Sequence, residues 1–138
     1  MSGEKDLGKL LGSLAPVLRD GEYVFCTFPG ARYGDYADLE PVASVLEAEG
    51  LTLVVPKPRA DERGLGYEGV FRWIALRVHS SLEAVGLTAA FSGRLAERGI
   101  SANVVAGYHH DHIFVPKAQA EEALEALEEL ARSADERG

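Results

Sequence analysis

The chain has 138 residues, is 46% hydrophobic, and carries a formal charge of −8 from 22 acidic and 14 basic side chains. That size buries roughly two-thirds of the unfolded surface, and so acidic a surface repels phosphate backbones, which argues against nucleic acid and anionic membrane as partners. No apolar run reaches the ~18 residues a bilayer span needs, the start MSGEKDLGKL has no apolar signal core, and the lone Cys26 cannot form an internal disulfide, so a soluble protein of a reducing cytoplasm is expected.

Leu7, Leu10, Leu11 and Leu14 follow the i, i+3, i+4, i+7 spacing of a short amphipathic helix that Pro16 closes. Glu22–Phe28 (EYVFCTF) is aromatic and β-branched, a strand. Pro29 to Asp38 is a loop of turn residues. Asp38 then caps a predicted helix with an apolar face of Leu39, Val42, Ala43 and Leu46, with Pro41 tolerated in its first turn and Gly50 as its stop. Leu51–Val55 is a strand, apolar enough to be central. Residues 57–69 mix Pro, Gly and charge without a period.

Val70–Val78 (VFRWIALRV) is a strand. Ser80 and Glu83 have capping-box spacing, Leu87, Phe91 and Leu95 form a helical stripe, and Gly99 stops that helix. Ile100–Ala106 and His112–Val115 are strands joined around Gly107. Ala120, Ala123, Leu124, Leu127, Leu130 and Ala131 mark a final amphipathic helix. Its glutamates, Glu121, Glu122, Glu125, Glu128 and Glu129, flank the apolar stripe and read as a solvated face, not as paired catalytic carboxylates. Strand, turn, helix, strand, hairpin, strand over residues 78–116 is a βαββ unit. Leu46-Glu-Ala-Glu-Gly-Leu-Thr echoes Leu95-Ala-Glu-Arg-Gly-Ile-Ser at an offset of 49 residues, which suggests a duplicated unit. The halves divide into residues 1–69 and 70–138.

The second half resembles the ACT domain, a βαββαβ ferredoxin-like module that senses amino acids. The likeness rests on Ser80, Val85-Gly86-Leu87, Ala89, Leu95-Ala96, Gly99 to Asn103 and Asp111 to Val115, and the run EAEGLTLVV carries it into the first half. The whole is similar to small stand-alone proteins with tandem ACT-like domains. The resemblance implies an α+β fold of two ACT-like halves packed together. A chain that begins and ends on helices lacks one edge strand, which exchange between halves or permutation would supply.

Gly86 lets a ligand approach the backbone closely, and amide groups without partners at a helix start favour a carboxylate. The resemblance makes Ser80, Val85, Gly86, Leu87 and Thr88 the ligand-binding turn. Asn103 is expected as a polar partner and Asp111 as a partner for an ammonium or guanidinium. It implies a small amino acid or related metabolite as ligand, a regulatory and non-enzymatic role, and pairing as a homodimer. A protein-interaction module without a small ligand is the alternative. No cofactor and no metal are expected. His109, His110, Asp111 and His112 tempt a zinc reading, but alternate faces of a strand leave only His110 and His112 together, and His79 is the one histidine elsewhere. A role of these histidines in pH-sensitive binding stays open. Gly64-Leu-Gly-Tyr-Glu-Gly69 matches the dinucleotide fingerprint, yet a strand and not a helix follows it. Arg32, Tyr33, Asp35 and Tyr36 belong to a solvated loop or a second pocket. Cys26 reads as buried packing.

Overall fold

A computed structural model describes residues 6–78 and 85–137, with side chains through residue 134. Helix α1 (Leu7–Gly12) starts where Asp6 Oδ1 accepts from the Lys9 amide at 3.0 Å. Pro16 does more than close it: Pro16–Leu18 is a short strand, β1. Strand β2 is Tyr23–Phe28. The helix expected from Asp38 is absent. In its place stand a one-turn 3-10 helix at Ala37–Leu39 and a strand, β3 (Ala43–Glu47). The local reason is Pro41. A residue before proline is disfavoured in the α region, and Glu40 takes the left-handed conformation at φ 55°. Beyond it, β3 pairs antiparallel with β4 (Gly50–Pro56), Val45 opposite Thr52. Gly50 therefore opens a strand and does not stop a helix. A β-carbon there would sit 3.0 Å from the Phe28 carbonyl oxygen, so the position admits only glycine comfortably. The unpatterned 57–69 stretch contains helix α2 (Lys57–Glu62), with proline in its first turn. Strand β5 (Phe71–Leu76), helix α3 (Leu87–Glu97), strands β6 (Asn103–Ala106) and β7 (Asp111–Pro116), and helix α4 (Ala120–Arg137) follow in the predicted order. Strand β6, however, begins three residues after Ile100, and α4 runs on past Ala131, its last predicted apolar position, where a frayed tail is expected after Arg132.

The chain forms two compact units. In one, the N-terminal segment through Arg19 joins Trp73 and all that follows. Its strands lie in the order β1, β5, β7, β6, with Pro16 opposite Leu76 and Asn103 opposite Phe114. The run β5-α3-β6-β7-α4 is thus completed by a fourth strand from the chain's start. With β1 paired to β5, the unit needs no strand after α4. Alternation puts Ile74, Leu76, Ile113 and Val115 on one face, where they meet Leu10, Leu14, Leu87, Phe91, Leu95, Ala123 and Leu127 from the helices in one buried cluster. Trp73, His112 and Phe114 occupy the other face.

The other unit spans Asp20–Arg72. Strands β3, β4 and β2 are antiparallel neighbours, and Tyr23 pairs with Phe71 at the start of β5. Val24, Cys26, Phe28, Leu51, Leu53 and Val55 bury one face beneath Leu39 and Ala60. The fold is α+β and ferredoxin-like. Among the described residues no helix is long and apolar enough to cross a membrane.

Candidate functional site

The strand-to-helix turn before α3 ends at Gly86, which holds φ 95° as the helix N-cap with no side-chain cap. The first intrahelical bond runs from the Ala90 amide to the Gly86 carbonyl at 2.9 Å. Amides of Leu87, Thr88 and Ala89 precede it and have no intrahelical acceptor. Val85 is 84% exposed, and Thr88 is exposed too. The Leu87 side chain lies in the core, so Leu87 presents only its main chain outward. Leu7 closes one side of the turn, its Cδ2 standing 3.2 Å from where a Gly86 β-carbon would be. Ser80, Glu83 and His79 lie outside the described residues.

The path of the chain decides which residues share this end of the unit. Gln119 Nε2 donates to the Gly99 carbonyl at 3.3 Å, which brings the end of β7 to the C-terminal end of α3. The start of β7, Asp111, therefore lies at the end where α3 begins. Asp111 is 8% exposed, the one charged residue buried among those described. No side chain among them donates to its carboxylate. Burial raises its pKa, while His112 and His110 pull it back only in part. Asn103 is placed at the other end of the hairpin. It faces Phe114 while Asp111 faces Ala106, a separation of about 10 Å at 3.3 Å per residue. Its amide donates to the Phe114 carbonyl at 3.2 Å. The turn and Asp111 thus come to one end, and Asn103 does not.

The histidines are held one by one. His112 Nδ1 accepts from Trp73 Nε1 at 3.0 Å, a link between residues 39 apart that no local pattern signals. His110 Nδ1 is buried without a hydrogen-bond partner among the described residues. His109 is exposed and packs edge-on to Tyr108, with ring centroids 5.1 Å apart. Among the described residues no three His, Cys, Asp or Glu converge as a metal site would require.

In the Asp20–Arg72 unit the corresponding loop is closed by its own contacts. The Arg32 amide donates to Asp35 Oδ2 at 2.9 Å, Tyr36 stacks on Phe28 at 4.0 Å between centroids, and Arg63 pairs with Asp38. Tyr33 points into solvent. A crevice of about 480 Å³ opens between Gly21–Tyr23 and Pro56–Asp61. Its polar groups already satisfy one another: Lys57 pairs with Asp61 at 2.9 Å, and Tyr67 donates to Asp61 at 2.7 Å. Those bonds raise the pKa of Lys57 and Tyr67 and lower that of Asp61. Cys26 is buried, its nearest polar contact the Gly66 carbonyl at 3.9 Å, and burial pushes its thiol pKa up, away from nucleophile chemistry.

The sequence matches the ACT-domain pattern twice, over residues 2–72 and 68–129. A protein of unknown function from Vibrio cholerae, described as a possible transport protein, is 57% identical over 92% of this chain and 97% of its own, with a TM-score of 0.83. A protein from Agrobacterium tumefaciens shares the fold at 16% identity over 84% of this chain and 87% of its own (TM-score 0.65). So does the regulatory subunit of aspartate kinase from Thermus thermophilus, at 13% identity over 86% of this chain and 97% of its own (TM-score 0.63). None of the curated proteins matches the chain.

Proposed function

Because the chain belongs to the ACT-domain family, with two such domains in tandem, we propose that it is a regulatory sensor of a small amino acid or closely related metabolite. The observation that carries the reading is that opposite recognition chemistry lies at the same end of one unit. Uncapped amides of Leu87, Thr88 and Ala89, with the positive end of the α3 dipole, suit a carboxylate. Asp111, buried and accepting from no side chain among the described residues, suits an ammonium. An α-amino acid carries both groups on one carbon. Val85, Gly86 and, in this proposal, Ser80 line the approach. Asn103 stays at the other end of the hairpin, which it braces through Phe114. The role is regulatory, not catalytic, in keeping with a fold shared with a regulatory subunit of aspartate kinase.

The test is a thermal-shift screen with the twenty amino acids at millimolar concentration. A ligand at a hundred times its Kd stabilises by about 2.7 kcal/mol, a readily measured rise in Tm. If no amino acid moves the transition, the sensor reading fails.

A second reading, a protein-interaction module that pairs with its own copies, draws on the outer strand β3. Val45 and Leu46 there are 57% and 67% exposed, on an edge with no proline or bulge between Ala43 and Glu47 to protect it. Sedimentation showing a dimer in an amino-acid-unresponsive protein would favour it.

A further inference from the structure

Trp73, the only tryptophan, donates through Nε1 to His112 Nδ1 at 3.0 Å. An indole nitrogen can only donate, so Nδ1 presents a lone pair and the ring proton of His112 is on Nε2. That second nitrogen faces the hairpin tip, where a β-carbon on Gly107 would come within 3.1 Å of it. The tip is itself closed by the Gly107 amide, which donates to the His110 carbonyl at 2.9 Å. The Arg19 guanidinium lies 4.1 Å over the indole, and Phe114 packs beside it at 5.7 Å. The imidazole is therefore gripped between β5 and the turn joining β6 to β7.

Proton uptake by a neutral imidazole of this tautomer must occur at Nδ1, the atom the indole occupies. Once protonated, two donors would face each other. The hydrogen bond and the imidazolium charge exclude one another. We propose that the Trp73–His112 hydrogen bond is a proton-released latch on the β6–β7 hairpin: neutral His112 holds the tip at residues 107–110 against β5, and protonation lets it go. Burial keeps His112 below the ordinary imidazole range. The charge of His110 acts the same way, Asp111 opposes it, and Arg19 adds to the lowering. Trp73 on β5 and Val105, opposite His112 on β6, carry no titratable charge. The latch is thus shut at neutral pH and opens on acidification below about 6.5. It stands without any ligand. Its consequence for affinity, through Asp111 at the same tip, rests on the reading above.

Trp73 is its own reporter. Emission of the full chain, followed from pH 8 to 5 with far-UV circular dichroism as the control for unfolding, should change in a single one-proton step with its midpoint below 6.5, at constant ellipticity. His112→Asn keeps an acceptor near Nδ1 but cannot titrate. It should flatten the emission curve while the other histidines remain. Hydrogen exchange at residues 107–110, corrected for intrinsic chemistry, should accelerate severalfold through the wild-type step. A flat wild-type curve, or a step that survives His112→Asn, overturns the latch. A protein that binds no amino acid at any pH yet shows the step loses the sensor reading and keeps the latch.

Discussion

The two units build one plan with different material. Their first strands begin 48 residues apart, at Tyr23 and Phe71, but the second strands of their hairpins begin 61 apart, at Gly50 and Asp111. The difference is a helix. Between β5 and β6 the chain spends eleven residues on α3, whose Phe91 and Leu95 enter the core. Between β2 and β3 it spends three on a 3-10 turn, fills the space with Leu39 and a Tyr36–Phe28 stack, and accepts two strained residues, Tyr36 and Glu40, at φ 63° and 55°. Such conformations cost on the order of 1 kcal/mol each. One unit therefore has both a deeper core and a helix start able to meet an anion, and the other has neither. Repetition of a fold does not repeat its chemistry.

The contrast can be broken by mutation, beginning with the cores. Phe91→Ala should cost about 3–5 kcal/mol in denaturant unfolding and Leu39→Ala about 2–5, with Phe91→Ala the larger. The reverse order would deny the asymmetry. Gly86→Ala should cost about 1 kcal/mol or more, from positive φ and the Leu7 contact, with the loss seen in Tm. Asp111→Asn should act the other way. A carboxyl whose folded pKa is raised contributes stability that is present below its unfolded value and lost as pH rises through the folded one, so removing the charge should raise Tm near pH 7. It should at the same time abolish any amino-acid response. His112 carries the opposite sign. Its depressed folded pKa gives stability that is full above about 6.5 and lost as pH falls through the folded value. The smallest effect is expected from Thr88→Glu: a gain of about 0.3–1 kcal/mol from charge at the α3 start, with an anionic ligand repelled. A variant that keeps its ligand response would move the site elsewhere.

How much of this was legible in the sequence varies by element. The strands at 71–76 and 111–116 and the helices at 87–97 and 120–131 followed from periodicity, because each buries one face locally; the run of the last helix on to Arg137 did not. Leu46-Glu-Ala-Glu-Gly-Leu-Thr and Leu95-Ala-Glu-Arg-Gly-Ile-Ser misled, since the same pattern makes a hairpin in one place and a helix end in the other. What separates them is Pro41 and the pairing of β3 with β4, and only the proline is local. Strand β1 is three residues long, and only its partner β5 defines it. The turn at Gly86 was readable as a helix start. That Asp111 joins that end while Asn103 leaves it depends on the direction in which α3 returns. The Trp73–His112 bond was beyond reach, because alternation names the face of a histidine but not its neighbour across the sheet.

In the proposed sensor the amides at the start of α3, with Asp111, grip an amino acid. Amide chemical shifts of the full protein, titrated with whichever amino acid stabilises it most, test this most directly. The Leu87, Thr88, Ala89 and Asp111 signals should move saturably while residues 29–40 stay still. Movement confined to that loop or to the Gly21–Asp61 crevice would contradict it.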